Sequence, residues 1–258
     1  MRVIPVPCLS DNYAYLIVGQ GQDAWSAAVV DPSEAEPVLA AAEREGLRLR
    51  AILCTHHHFD HVGGNQELLE RLGELPVYGH VSDRGRIPGQ THGLEHEQAF
   101  TLLGRSFRAL HIPGHTTGAL AYVVDGAVFT GDTLFAAGCG RLFEGTPAMM
   151  YESLNVRLAA LPDDTLMYFG HEYTASNLRF AAHVEPTNAA IAAKQRRVSE
   201  LRAVGAPTTP STLRDERATN PFLRCDSAEI ARHLSGRLPP RPSPIDVLGL
   251  LRAEKDAF

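Results

Sequence analysis

One short segment constrains this chain more than any other. Residues 55–61 read THHHFDH and directly follow the apolar run AILC at residues 51–54. If the segment is extended, His56, His58 and Asp60 point the same way, because side chains alternate along a strand. Imidazole nitrogens and carboxylate oxygens are ligands that zinc and similar divalent metals accept. Together with His61, the segment therefore predicts a metal site at the end of a buried strand.

Four ligand-type side chains in one loop exceed the need of a single catalytic zinc, which usually takes three protein ligands and keeps a water. The loop therefore predicts two metals, with further ligands from elsewhere. His115 (HIPGHTTG), Asp132 (VFTGDTLF) and His171 (MYFGHEY) each follow an apolar run and a glycine. We predict that all three join the site.

The other histidines are predicted to be structural, since an isolated histidine is more often a core or surface residue than a ligand. They are His57, His80, His92, His96, His111, His183 and His233. His57, between two predicted ligands, should point away from the metals.

Short apolar runs alternate with amphipathic segments over the first two-thirds of the chain. The runs predict strands at residues 13–18, 27–31, 51–55, 107–112, 119–124, 127–130 and 165–169. Helical spacing predicts helices at residues 34–45, 65–72 and 149–161, with Ser33 and Thr146 as N-caps. Strands that alternate with helices predict a sheet covered by helices.

After His171 the pattern changes to helices without a convincing strand. Residues 174–184, 188–203 and 245–255 have helical spacing, with proline-rich stretches at 206–214 and 238–244 between the later ones. We predict a catalytic domain over residues 1–171 and a smaller helical, substrate-binding domain over residues 172–258.

Composition and charge bear on the partners of the chain. The net charge of −6 argues against a nucleic-acid binder, which usually carries a basic excess. Four cysteines without a C-x-x-C pair are typical of reduced thiols in a cytosolic protein. Neither a signal peptide nor a membrane span is recognisable. We expect a soluble, cytoplasmic monomer that acts on a small molecule.

These motifs match a known family. THHHFDH followed by GHT, GDT and GHEY resembles the metallo-β-lactamase superfamily, and within it the chain resembles the glyoxalase II (hydroxyacylglutathione hydrolase) family. The narrower likeness rests on AGCGRLFEGT at residues 137–146, GHEYT at 170–174, NPFLR at 220–224, and Arg252 with Lys255. It implies an α+β fold, an αβ/βα sandwich with a smaller C-terminal all-helical domain.

The resemblance also assigns roles to residues. The metal ligands fall into three sets: His56, His58 and His115 for one ion, Asp60, His61 and His171 for the other, and Asp132 bridging both. The substrate positions are Arg141, Phe143, Tyr173, Arg252 and Lys255. The family often has tyrosine where this chain has Phe143, so a hydroxyl that could bind substrate is missing there.

The implied activity is hydrolysis of S-D-lactoylglutathione and other 2-hydroxyacylglutathiones to the hydroxy acid and glutathione, the second step of methylglyoxal detoxification. Two divalent metals would generate a hydroxide that attacks the thioester carbonyl. Zinc is expected first, although histidine and aspartate sites also accept iron or manganese. Asp60 and Asp132 are the predicted catalytic carboxylates, with Asp60 a ligand first and a proton acceptor second.

Two other functions fit the same fold. A glutathione persulfide dioxygenase would use one iron and would not need a complete second site. A metal-buffering or scaffold protein would keep the ligands without a substrate pocket. The complete set of predicted ligands for a second metal and the Arg252/Lys255 pair favour hydrolysis.

Overall fold

The computed structural model describes residues 1–258, and the chain divides into two compact units that are interleaved along the sequence. The first unit contains Met1–His111, Gly118–Gly131 and Tyr168–His171. The second contains Ile112–Thr117, Asp132–Met167 and Glu172–Phe258. The division between residues 171 and 172 stays a prediction.

The first sheet has six strands that lie in the order of the chain. They are β1 (Val3–Cys8), β2 (Asn12–Val18), β3 (Ser26–Val30), β4 (Arg48–Leu53), β5 (Val77–His80) and β6 (His92–Leu94). Strands β1 to β3 pair antiparallel, whereas β3 to β6 pair parallel. Parallel neighbours place the ends of β3 and β4 at one edge of the sheet, and that edge carries the THHHFDH segment.

Strand β1 was not predicted because Pro5 and Pro7 interrupt its apolar run. Proline cannot donate to a ladder of hydrogen bonds, so it is confined to edge strands within sheets. β1 is an edge strand, with Pro5 opposite Tyr15 and Pro7 opposite Tyr13 on β2. The short strands β5 and β6 also lacked a clear pattern.

Strand β2 is buried on both faces, and this explains the unbroken apolar run that follows Asn12. Ala14 and Leu16 belong to a core shared with Val38 and Leu68, which lie on helices. On the opposite face, the ring of Tyr15 joins a second core. Sheet one thus separates a helix-facing core from a sheet-facing core.

The second sheet pairs mainly antiparallel strands. Its order is β14 (Ser211–Thr212), β13 (Leu166–Phe169), β10 (Ala127–Gly131), β9 (Leu120–Val124), β8 (Arg105–His111) and β7 (Ala99–Leu102). A small ribbon pairs β11 (Leu134–Phe135) with β12 (Gly138–Cys139). Phe107, Tyr122 and Phe129 of this sheet lie in the same core as Tyr15, so the two sheets form a sandwich.

Nine α-helices accompany the sheets. They are α1 (Ala35–Arg44), α2 (Phe59–Val62), α3 (Asn65–Leu72), α4 (Pro147–Tyr151), α5 (Thr174–Val184), α6 (Ala189–Ala203), α7 (Leu213–Thr219), α8 (Ala228–His233) and α9 (Pro244–Ala257). The single turn α2 and the short helices α7 and α8 were not predicted. Helices α3, α5, α6 and α9 lie where the spacing predicted them.

Two helix predictions were wrong in detail. Ser33 does not cap α1. The N-cap residue is Glu34, and the buried Ser33 hydroxyl makes no hydrogen bond within the chain. The helix predicted over residues 149–161 is α-helical only to Tyr151, π-helical over Glu152–Arg157 and 3₁₀-helical over Leu158–Ala160. Thr146 does cap α4, accepting a hydrogen bond from the Met149 amide, and Pro147 occupies the first helical position.

The second unit is mainly helical. Leu178 and Ala181 of α5 pack with Ile191 and Val198 of α6 in a buried apolar cluster. The only strand after residue 171 is the two-residue β14, which pairs with Leu166 and Met167. No helix of the chain is both long enough and apolar enough to cross a membrane.

Candidate functional site

The THHHFDH segment begins two residues after β4 and turns at once into α2. His56 and His61 are almost fully buried, and His58 is the N-cap residue of α2. His56 Nε2 lies 3.1 Å from His58 Nδ1. The segment is therefore extended only as far as His58, and the helical turn brings Asp60 and His61 to the same region.

His61 and His171 face each other across the strand ends. His61 Nδ1 lies 3.0 Å from Asp31 Oδ2, and His171 Nδ1 lies 2.9 Å from Asp11 Oδ1. A carboxylate only accepts hydrogen bonds, so each Nδ1 carries a proton, and in the neutral imidazole each Nε2 then presents a lone pair. The two Nε2 atoms are 3.2 Å apart. Two lone pairs at this distance repel, and a cation between them removes the repulsion.

Asp60 completes this group. Its Oδ2 lies 3.3 Å from His171 Nε2 and 3.6 Å from His61 Nε2. Asn12 holds Asp60 through its side-chain amide, which donates to the Asp60 carbonyl at 2.9 Å and to Oδ2 at 3.1 Å. The structure thus brings Asp60, His61 and His171 together with donor atoms suited to a divalent metal.

Asp31 orients two histidines. Its carboxylate accepts from the Thr55 amide at 2.7 Å, the Thr55 hydroxyl at 2.6 Å and His61 Nδ1 at 3.0 Å. Because the Thr55 hydroxyl donates to Asp31, it accepts from His56 Nδ1 at 3.1 Å. In the neutral ring, His56 Nε2 then directs its lone pair toward His58. Asp31 lies near the ligands but its oxygens are taken by donors, which fits orientation rather than ligation.

In the second unit, His115 and Asp132 are neighbours. His115 Nδ1 donates to the Arg141 carbonyl at 2.9 Å, so its Nε2 presents a lone pair 3.6 Å from Asp132 Oδ2. Gly140 permits this arrangement: a Cβ there would lie 2.0 Å from the Asp132 carbonyl oxygen and 2.9 Å from His115 Nδ1. A lone pair that faces a carboxylate is again suited to a cation.

The five predicted substrate residues also belong to the second unit. Phe143 is 63% exposed, and its ring packs edge-on against His115 with centroids 5.2 Å apart. Tyr173 is partly exposed and packs against Phe135. Phe143 and Tyr173 therefore present aromatic surface, and Phe143 does so beside a predicted ligand.

The predicted cations differ in exposure. Arg141 is exposed, with its Nε 3.4 Å from Asp256 Oδ1. Arg252 is only 5% exposed, donates to the Cys139 carbonyl at 2.6 Å and to Asp256 at 3.1 Å, and lies over the Phe222 ring.

Lys255 is half-buried over two aromatic rings, and its surroundings affect its charge. Burial, followed by the charges of Arg252 and Arg179, lowers the pKa of Lys255 to about 8. An anionic ligand beside Lys255 would relieve this cationic repulsion.

The remaining histidines make other contacts. His57 Nδ1 lies 3.5 Å from Asp83 Oδ2, and its Nε2 accepts from Arg86 at 2.5 Å, in agreement with its predicted direction. His183 and His233, however, lie together beside Glu254.

Sequence reasoning also missed Asp11, Asn12 and Asp31. The available signal was that Asp31 follows a strand directly, as Asp132 does.

Comparisons with known proteins identify the family of the chain. Residues 10–171 match the model of the metallo-beta-lactamase superfamily, and residues 172–258 match the model described as hydroxyacylglutathione hydrolase C-terminus. A hydroxyacylglutathione hydrolase of Synechococcus sp. is 50% identical over 266 residues, covering 100% of both chains. The chain belongs to the hydroxyacylglutathione hydrolase family.

Solved structures support the fold of this family member. The crystal structure of ETHE1 from Myxococcus xanthus matches with a TM-score of 0.67 at 26% identity, covering 100% of this chain and 99% of the other. TTHA1623, solved in a di-iron-bound form, matches with a TM-score of 0.61 at 31% identity, covering 85% of this chain and 100% of the other. The predicted α+β sandwich with a helical C-terminal region is thus confirmed. Membership of the superfamily also implies metal binding, and the lone pairs described above fit it.

Proposed function

We propose that this chain is a glyoxalase II, which hydrolyses S-D-lactoylglutathione and related 2-hydroxyacylglutathiones to the hydroxy acid and glutathione. The observation that carries the proposal is that His61 Nε2 and His171 Nε2 lie 3.2 Å apart beside Asp60. Because each Nδ1 donates to a carboxylate, each neutral ring directs an Nε2 lone pair into this site. Such a set of donor atoms is suited to binding a cation. The family's full-length relatives supply the substrate class.

We propose two metal ions per chain, with zinc as the first candidate and iron or manganese as alternatives. By the family resemblance, His56, His58 and His115 would hold one ion, Asp60, His61 and His171 would hold the other, and Asp132 would be shared by both. The support lies within each unit: the Nδ1 atoms of His56, His61, His115 and His171 are all directed to acceptors. Each of these imidazoles is therefore prepared to ligate through Nε2.

When bound, a metal pair supplies a water of lowered pKa and positive charge for the developing oxyanion. The chain supplies orientation. Asp31 and Asp11 fix the tautomers of His61 and His171, and Asn12 holds Asp60, which acts first as a ligand and second as a proton acceptor. The leaving thiolate, whose acid has a pKa near 8.5 by analogy with cysteine, departs without a general acid.

We propose that Arg141, Lys255 and Arg252 provide the positive charge for the two carboxylates of glutathione, and that Phe143 and Tyr173 flank the acyl-thioester. Arg141 and Lys255 are the more accessible cations, whereas Arg252 is buried and also holds the Cys139 carbonyl.

We further propose a cytoplasmic monomer without nucleic-acid or membrane partners. Its net charge of −6 and its four free, buried cysteines are consistent with this.

The test is the loss of absorbance of S-D-lactoylglutathione with the purified chain, before and after chelation, alongside metal analysis. We expect hydrolysis that chelation abolishes and zinc restores. His171→Ala should lose activity, whereas His96→Ala, an exposed histidine elsewhere, should not. No turnover with both sites loaded would contradict the proposal. Oxygen uptake with a glutathione persulfide and one iron would indicate the dioxygenase instead.

The substrate side is tested separately. Arg252→Ala and Lys255→Ala should each raise KM roughly tenfold or more while kcat changes little, because a charged hydrogen bond far from the breaking bond is worth about 1.5–3 kcal/mol. Arg197→Ala, an exposed arginine of α6 paired with Asp215, is the control. An unchanged KM in both variants would remove these residues from the substrate site.

A further inference from the structure

A second cluster of metal-type ligands shares no residue with the predicted metal centre. His183 belongs to the last turn of α5, His233 ends α8, and Glu254 lies near the end of α9. Glu254 Oε1 is 2.7 Å from His233 Nε2 and 3.2 Å from His183 Nε2. All three residues belong to the second unit, and none was predicted to bind anything.

The three donor atoms of this cluster are close enough to bind one metal ion after a small movement. Zinc binds imidazole nitrogen and carboxylate oxygen at roughly 2.0–2.2 Å, which separates two tetrahedral ligands by about 3.4 Å. The three donor atoms lie within 4.8 Å of one another, and a small rotamer adjustment would suffice. The side chain of His183 is 48% exposed, so water can reach the fourth position.

The charge of the cluster also suits a cation. Burial opposes ionisation of Glu254, but hydrogen bonds from His233 and Arg237 outweigh it, and the pKa of the carboxyl lies below its ordinary value. Arg237 binds the other oxygen, Oε2, and leaves Oε1 to the two histidines. The carboxylate is therefore anionic and oriented, although the positive charge of Arg237 weakens the attraction for a metal.

We infer that His183, His233 and Glu254 form an additional zinc site, distinct from the family's metal centre, which ties α5, α8 and α9 together. An ion there would restrain the rings of His183 and Phe258, whose centroids are 5.3 Å apart. Phe258 and Phe180 are the rings that flank the ammonium of Lys255. Such an ion would stabilise the end of α9, which carries two of the proposed substrate cations, Arg252 and Lys255.

The experiment is equilibrium dialysis of the full chain at fixed micromolar free zinc, with excess Mg²⁺ to block purely acidic sites. The double variant H183A/E254Q is compared with the wild type, and His96→Ala is the matched control because His96 is exposed and lies near Glu97. We expect the wild type and the control to hold one zinc per chain more than the double variant. This difference is independent of how many ions the predicted catalytic centre holds.

Two further readouts separate a metal site from a plain hydrogen-bond network. When the predicted catalytic centre is already loaded, added zinc should raise the Tm of the wild type by about 5 °C more than that of the double variant. The zinc concentration for this comparison is roughly a hundredfold above the Kd of the additional site. Arg237→Gln should tighten the additional site roughly two- to fivefold, because it removes a nearby positive charge. Equal zinc content in the wild type and a double variant that keeps the wild-type circular dichroism spectrum would overturn the inference.

Discussion

At the scale of single residues, Asp31 determines the arrangement of the metal loop. It follows β3 in a left-handed conformation, with φ of 49°, which a short polar side chain tolerates better than most. From this position its two oxygens accept from the Thr55 amide, the Thr55 hydroxyl and His61 Nδ1. One carboxylate thereby sets the tautomers of both His61 and His56.

Asp31→Asn is predicted to weaken metal retention about 10- to 100-fold, as is typical when a residue that orients a ligand is lost. The amide of asparagine would direct a donor at groups that are themselves donors. Metal remaining after competition with a chelator measures the effect. Asp164→Asn, an exposed aspartate, is the control. Wild-type retention by Asp31→Asn would show that His61 does not need this carboxylate.

At the scale of secondary structure elements, α9 is well defined at its beginning. Ser243 Oγ accepts from the Asp246 amide, and the Asp246 carboxylate accepts from the Ser243 amide at 2.8 Å, forming a capping box. Pro244 occupies the first turn, where its missing N–H has no consequence. Since α9 carries Arg252, Lys255 and Glu254, its beginning influences two proposed sites.

Ser243→Ala is predicted to lower the free energy of unfolding by about 1 kcal/mol, because an N-cap oxygen satisfies an otherwise unbonded helical amide. Urea unfolding followed by circular dichroism measures it. Ser235→Ala, an exposed serine that caps no helix, should leave the midpoint unchanged. If the two variants unfold alike, the capping box contributes nothing to stability.

At the scale of the whole molecule, a pair of histidines in the first unit links stability to pH. The His80 ring is buried and stacks on His111, with centroids 4.2 Å apart and planes at 10°. Burial, followed by the charge of His111, lowers the pKa of His80 from 6.5 to about 4. Between these values the unfolded chain binds a proton that the folded chain does not, so stability falls as pH falls.

The wild type is therefore predicted to lose stability between pH 6.5 and 4 more steeply than His80→Gln. Urea unfolding of chelated protein at several pH values measures the slope and avoids proton competition at the metal ligands. His92→Gln, which replaces an exposed histidine, should keep the wild-type slope. Parallel slopes in wild type and His80→Gln would show that His80 does not cause the acid sensitivity.

Much of this protein follows from local patterns in its sequence. The apolar runs predicted strands β2, β3, β4, β8, β9, β10 and β13, because side-chain alternation and burial on both faces leave a mark in any short segment. Residues that follow those strand ends also indicated the ligands, since a loop after a buried strand has few other uses for three histidines and an aspartate. Strand β1 escaped prediction because its prolines are tolerated only at the sheet edge.

Convergence of residues distant in sequence was decided only by the tertiary structure. Asp11 reaches His171 across 160 positions, Asp31 reaches His61 across 30, and Glu254 reaches His183 across 71. A sequence period specifies which way a side chain points from its own strand or helix. Packing alone decides which groups that side chain contacts. The hydrogen bonds that orient the ligands, and the cluster of His183, His233 and Glu254, could therefore be identified only in the folded structure.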